Sequence, residues 1–304
     1  MTVPATGSLV TGLYWHAGSP ALTLTDHSGA ARDLAARPGT SIGWRLSGPR
    51  RCIGLWLAHA GRRVSCPHHA TLSAGGPDAQ CTACATADRG RALARDATPE
   101  DPRAFLLYLA WFADGVLKVG LTATERGEDR LAEQGALAFT HLATGSLAAI
   151  RRAERTAAAT GSARDRVQPH TKVAGWWQLD DPELRHHQLT TAHRALSDPQ
   201  ATRQGVQPTP CRVRDLTTTF GLDRVPPRPT HEVIRVDANN ILRGELVCLA
   251  GRTALLSTER GPLLFDLRLL SGWTVEPSAE ATRGVSVAPA DWLQPRVAEH
   301  DVLF

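Results

Sequence analysis

Apolar and polar positions alternate along LVTGLYWH (9–16) and ALTLTD (21–26), and the Ala17-Gly18-Ser19-Pro20 stretch between them carries turn chemistry. Residues 1–50 therefore read as a β-rich segment. After the punctuation DATPEDPR (96–103), FLLYLAWF (105–112) starts a strongly apolar strand near Phe105. Asp114-Gly115, a strong hairpin signal, separates it from a second short strand ending in Lys118-Val119-Gly120. Tyr108 and Lys118 are expected to face each other across that antiparallel pair. The polar stretch holding Arg126 and Arg130 follows with helical character.

SLAAIRRAERTAAAT (146–160) predicts a helix with Ser146 as N-cap and Gly161 beyond its end. Residues 181–196 predict another, with Asp181 ahead of Pro182 at the first helical position. Residues 201–230, rich in Pro, Thr and Arg, read as a linker. From His231 strand patterns return: EVIRVD, GELVCLA, TALLST, LLFDLRLL and WTVEP. GLYWHAGSPALTLTDHSGAARDL (12–34) also overlays GELVCLAGRTALLSTERGPLLFDL (244–267), with Gly18/Gly251, Ala21/Ala254, Thr25/Thr258 and Asp33/Asp266 coinciding. Either two strand-turn-strand segments share turn chemistry by chance, or a duplicated β unit packs with its copy and brings the two ends of the chain together.

The pattern gives an α+β chain: a β-rich segment (1–50), a cysteine-bearing module (51–100), a central domain (101–200), the linker (201–230) and a β-rich domain (231–304), which the duplication reading packs with 1–50. The length of 304 residues permits a full core. No apolar run is long enough for a membrane span, and MTVPATGSLV lacks the basic-then-apolar order of a signal peptide. A cytoplasmic location is expected.

A net charge of +4 is compatible with a nucleic-acid partner without demanding one. Of 34 basic residues only Lys118 and Lys172 are lysines. Arg cannot lose its proton at working pH, so a lysine kept against an arginine bias stands out as an amine that can.

Cys52, Cys66, Cys81 and Cys84 follow C-x13-C-x14-C-x2-C. In a reducing compartment four such thiols suit a closed, structural Zn²⁺ site, with His68 or His69 as alternative nitrogen ligands to a cysteine. Arg45, Arg50, Arg51, Arg62, Arg63 and Arg89 flank this cluster, either as a phosphate-contacting face or as solvated surface. His186, His187 and His193 lack a carboxylate partner at metal-binding spacing, and no P-loop, dinucleotide fingerprint or nucleophile elbow is present.

The ordered set LLY (106–108), KVG (118–120), Thr122, Arg130, Glu154 and GWWQL (175–179), the last in the place of a terminal aromatic strand, resembles the GIY-YIG nuclease fold. Leu106 departs from the glycine of the first triplet, Lys118 replaces the commoner Tyr, and the closing Asn is not identifiable. Over nearly the whole chain, CIG, the CP…CxxC cluster, YLA-F, KVGLT, R-x3-QGA and a late β segment with G-x6-G resemble in order the family called domain of unknown function 2797.

The nuclease resemblance implies metal-dependent phosphodiester hydrolysis on nucleic acid. Tyr108 would be base or water-orienting hydroxyl, with Lys118 as its cationic neighbour or itself the base. Arg130 would hold a phosphate oxygen, and Glu154 would anchor one Mg²⁺ or Mn²⁺ largely through water. Each residue also has a plainer reading. Tyr108 suits a core position with a satisfied hydroxyl, Arg130 pairing with Glu133 or Glu128, Glu154 a surface ion pair, and Trp176 and Trp177 packing rather than base stacking. Two rival functions follow: a non-catalytic zinc-containing nucleic-acid-binding protein, or an enzyme using the same pocket on a small substrate.

Overall fold

Why these segments fold as they do is visible in a computed structural model, which describes residues 7–57, 62–88, 101–179, 181–197 and 205–293. The N-terminal alternation becomes β1 (Ser8–His16), β2 (Ser19–Thr25), β3 (Ala31–Ala35) and β4 (Ser41–Ser47). In β2 and β4 every second residue is buried, as a sheet with one covered face requires. The cysteine module follows: β5 (Leu55–Leu57), β6 (Arg62–Val64) and the short α1 (Thr82–Ala87).

The central region contributes β7 (Ala104–Ala113), β8 (Val116–Ala123), α2 (Gly127–Gln134), β9 (Ala138–Ser146), α3 (Leu147–Ala159), α4 (Pro169–Ala174) and α5 (Pro182–Leu196). Ser146 caps α3 by accepting from Ala149 N at 3.4 Å. Asp181 caps α5 by accepting from Glu183 N and Leu184 N at 2.8 and 3.1 Å. Beyond them run β10 (Val206–Pro208), β11 (Arg214–Asp215), β12 (His231–Arg235), β13 (Ile241–Ala250), β14 (Thr253–Thr258), β15 (Gly261–Asp266), β16 (Thr274–Pro277) and β17 (Ser286–Pro289).

Two sheets organise the molecule. The smaller has five strands in the order β10-β9-β7-β8, with β11 also paired to β9. Its central strand, β7, is covered on both faces, which explains the unbroken apolar run FLLYLAWF. Helices α3 and α5 pack on it. Residues 206–215, read as linker, are instead pinned to β9 at both ends of that strand: Val206 opposite Gly145 and Arg214 opposite Phe139.

The larger sheet has ten strands in the order β17-β12-β15-β14-β13-β4-β16-β1-β2-β3. The overlay of 12–34 on 244–267 falls on two three-stranded meanders, β1-β2-β3 and β13-β14-β15. Each is followed by a fourth strand that pairs with the first strand of the other set: β4 with β13, and β16 with β1. Exchanging each strand for its counterpart reverses the order of the eight strands from β15 to β3. The correspondence is one of topology and not of register, since Asp33 pairs with Thr23 but Asp266 with Thr253. The connection between β2 and β3 spans 26–30, whereas β14 and β15 are joined by 259–260 alone.

The two sheets meet at a pair of glycines. Gly135 ends α2 in the left-handed conformation (φ 69°), and Gly251 turns between β13 and β14 at φ 63°. A Cβ on Gly251 would lie 2.8 Å from Gly135 N. Trp15 Nε1 donates to Gly251 O at 2.7 Å, tying β1 into the same junction. Among the described residues, no helix is long and apolar enough to cross a membrane.

Candidate functional site

The cysteine module is built around its thiols. Cys52, Cys66, Cys81 and Cys84 place their sulfur atoms within 4.8 Å of one another, and Cys66 Sγ lies 3.8 Å from Cys81 Sγ. Four sulfurs about 2.3 Å from a central Zn²⁺ form a tetrahedron with edges of about 3.8 Å, so the donor set fits that ion. The backbone N–H groups of Cys81 and Gly54 donate to Cys52 Sγ at 3.2 and 3.4 Å, in the manner of bonds that support a thiolate. Burial opposes ionisation at Cys66, yet N–H groups of Ala70 and His68 and the Cys52 and Cys84 thiols bring it down to about 6. Burial and its sulfur neighbours push Cys84 up.

His68 and His69 are both exposed, and the ligand group consists of the four cysteines. Among the described residues no other cluster of three or more His, Cys, Asp or Glu has metal-ligand geometry. His193, one of three histidines weighed as a metal site, is buried against the carbonyls of His141 and Thr209, while His186 and His187 are exposed.

Several of the flanking arginines are committed elsewhere. Arg50 is 5% exposed and donates to the carbonyls of Ser271, Ser73 and Gly76. Arg63 donates to Tyr14 Oη at 2.7 Å, and Arg45 is ion-paired with Glu280. Arg89 lies outside the described residues.

The central residues converge in part. Register places Tyr108 opposite Gly120 and Lys118 opposite Ala110, so Tyr108 and Lys118 are diagonal neighbours on one face and not a directly facing pair. Lys118 Nζ nevertheless reaches Tyr108 Oη at 3.3 Å, and Gln134 Nε2, at the end of α2, donates to the same oxygen at 2.6 Å. Gly120 makes room for this. A Cβ there would overlap the phenol oxygen and fall 2.6 Å from Lys118 Nζ. Tyr108 is 1% exposed, so its ring belongs to the core.

Arg130 lies 3.4 Å from Glu133, which also holds Arg126, so the helix ion pair considered from the sequence is formed. Glu154 sits half-buried on α3, the helix that packs on β7 and β8. Thr122 is buried and donates to Ala123 O. The GWWQL segment is not a strand. Gly175–Trp177 forms a 3-10 turn, and Gly175 presses against the Phe112 carbonyl where no side chain would fit. Trp176 and Trp177 are buried, and Trp177 Nε1 donates to Pro226 O, which leaves no ring face for a base.

Beside Gln134 opens a cavity of about 230 Å³, lined by Arg130, Lys172 and Arg252. The sequence singled out Lys172 but not Arg252, which reaches the cavity only because the Gly251 turn docks on α2. The Gly-Arg dipeptide in LAGRT, aligned with Gly18, was the available signal.

These features define an α+β protein with a ten-stranded sheet, a small five-stranded sheet with helices, and a four-cysteine cluster consistent with a structural zinc site. The chain belongs to the DUF2797 family, described as protein of unknown function, whose sequence pattern matches residues 77–275. That span takes in Cys81, Cys84 and every central residue discussed above, while Cys52 and Cys66 precede it. No curated protein and no solved structure matches the chain.

Proposed function

We propose that the protein is a metal-dependent phosphodiesterase acting on nucleic acid, with a GIY-YIG-like centre in residues 101–200. The observation that carries this reading is the convergence of Lys118 Nζ and Gln134 Nε2 on Tyr108 Oη, beside a cavity lined by Arg130. The elements also run strand, strand, helix, strand, helix, bearing Tyr108, Lys118, Arg130 and Glu154 in the order the resemblance implies.

In-line hydrolysis needs an acceptor for the water proton and positive charge near the developing phosphorane. With its acceptor positions taken by Lys118 and Gln134, Tyr108 Oη keeps its own O–H to orient water. Lys118 holds that oxygen and adds positive charge. Arg130 takes a phosphate oxygen on leaving Glu133. Glu154 offers a single carboxylate, which suits a Mg²⁺ or Mn²⁺ ion that keeps most of its waters. Such an ion, when bound, would stabilise charge on the leaving oxygen.

The burial of Tyr108 and the Arg130–Glu133 pair favour a second reading, a zinc-containing nucleic-acid-binding protein without catalysis. Incubating the protein with single- and double-stranded DNA and RNA plus Mg²⁺ or Mn²⁺ separates the two. Cleavage lost in Glu154→Ala and Arg130→Ala supports the nuclease. Salt-sensitive binding without cleavage under either metal overturns it in favour of the binding protein. Neither binding nor cleavage points to a small substrate.

A further inference from the structure

The two lysines of the chain lie close together, and the second serves no part of the reaction above. Lys172, on α4, donates to Gln134 O at 2.9 Å and lies 4.5 Å from the centre of the Phe112 ring. Burial lowers its pKa to about 8, and the charges acting on it are all positive: Lys118, Arg252 and Arg130.

The neighbouring arginines have partners, but shared ones. Glu133 serves both Arg126 and Arg130, and Asp266 serves both Arg252 and Arg268. The recess itself is lined by three cations, Arg130, Lys172 and Arg252, against one carboxylate, Glu133. Holding the partly buried Lys172 ammonium beside two arginines is costly in a folded chain unless something negative enters.

The shape of the recess says what enters. Arg130 comes from α2, Lys172 from α4 and Arg252 from the β13–β14 turn, so the three cations approach from different elements. A carboxylate is satisfied by one planar guanidinium, whereas a tetrahedral phosphate presents oxygens in several directions and uses two forks and an ammonium together. Val173 and Trp176 add an apolar wall, and the volume accommodates a phosphate with part of its ester.

We propose that this cavity between the two sheets is a phosphate-binding site, in which Arg130, Lys172 and Arg252 jointly hold the phosphate of a nucleotide or of a nucleic-acid end. The assignment extends the phosphodiesterase reading by giving its anion a seat, and it is measured by binding alone. It brings Arg252, from the larger sheet, into a site otherwise built on the smaller one.

Isothermal titration with two matched pairs tests it: AMP against adenosine, and a 5′-phosphorylated oligonucleotide against the same strand with a 5′-hydroxyl. In at least one pair the phosphate-bearing member should bind about tenfold tighter or better, as charge-assisted contacts supply. That preference should disappear in Lys172→Gln and in Arg252→Gln, and survive in Arg260→Gln, an exposed position on the next turn. Preference in the AMP pair alone assigns a free nucleotide, and in the oligonucleotide pair alone a strand end. Either supports the site. No preference in either pair overturns the proposal, and so does a preference that Lys172→Gln and Arg252→Gln leave intact while circular dichroism shows them folded. Because binding is read without metal, a preserved preference beside absent cleavage would remove the nuclease and keep the phosphate site. Cleavage with no preference would do the reverse.

Discussion

Gly120 decides where the phenol of Tyr108 can lie. Its backbone is not in the left-handed region, so the constraint is space alone: any Cβ meets the phenol oxygen and Lys118 Nζ. Gly120→Ala should destabilise the protein by about 1–3 kcal/mol, the usual cost of overpacking, read as a lower denaturant midpoint at unchanged slope. Lys172 makes a second prediction. An unfolded lysine titrates near 10.5 and the folded one at about 8. Below pH 8 both states hold the proton and the folded state carries the full penalty. Between 8 and 10.5 the unfolded chain binds more protons, so stability rises with pH, and above 10.5 the penalty is gone. The difference in unfolding midpoint between the protein and Lys172→Met should therefore change across pH 8–10.5 and stay level from pH 6.5 to 7.5. At this scale the sequence was informative about identity and silent about neighbours. Lys118 and Tyr108 stood out as residue types, but Gln134, which holds the phenol most closely, is an ordinary helix residue until α2 is placed over the hairpin.

Elements with local signatures were legible. Asp114-Gly115 announced the β7–β8 hairpin, Ser146 and Asp181 announced their helices, and CTAC announced the tight pair of cysteines. Elements whose partners are distant were not. β10 and β11 hold only a few residues each, and Pro and Arg mask their strand character until β9 pairs with them. GWWQL has strand-like composition, but its first three residues form a 3-10 turn packed on Phe112. The cysteine module shows both cases, since its two halves meet at the four-sulfur cluster and the small buried group around it. Purified protein should contain about one Zn per chain, and Cys84→Ser should lower that content with loss of structure confined to residues 52–88. Zinc content unchanged in Cys84→Ser would remove that residue from the ligand set.

Across the whole molecule, the larger sheet couples the two ends of the chain more tightly than their separation in sequence suggests. β4 has β13 on one side and β16 on the other, so neither neighbour of this N-terminal strand comes from the N-terminal segment. A fragment ending at residue 230 should therefore leave β1–β4 unfolded, visible as lost amide protection over 8–47, while the five-stranded sheet keeps its protection. Adding the 231–304 segment in trans should restore protection over 8–47. The repeat in the sequence hinted at two related units, but that each donates its fourth strand to the other is a matter of pairing, which turn residues do not encode.

The exchanged fourth strands also set an order of events during synthesis. When β4 leaves the ribosome, the strands on either side of it are still about 200 residues from being made, whereas β7, β8 and β9 find their partners within a few dozen residues of one another. The central sheet can close while the chain grows, and β1–β4 must wait with open edges until the last quarter of the protein arrives. The short, polar β3, with Ala31, Arg32 and Asp33 all exposed, is well suited to that interval, because it ends the waiting meander in an edge that offers other chains little to pair with.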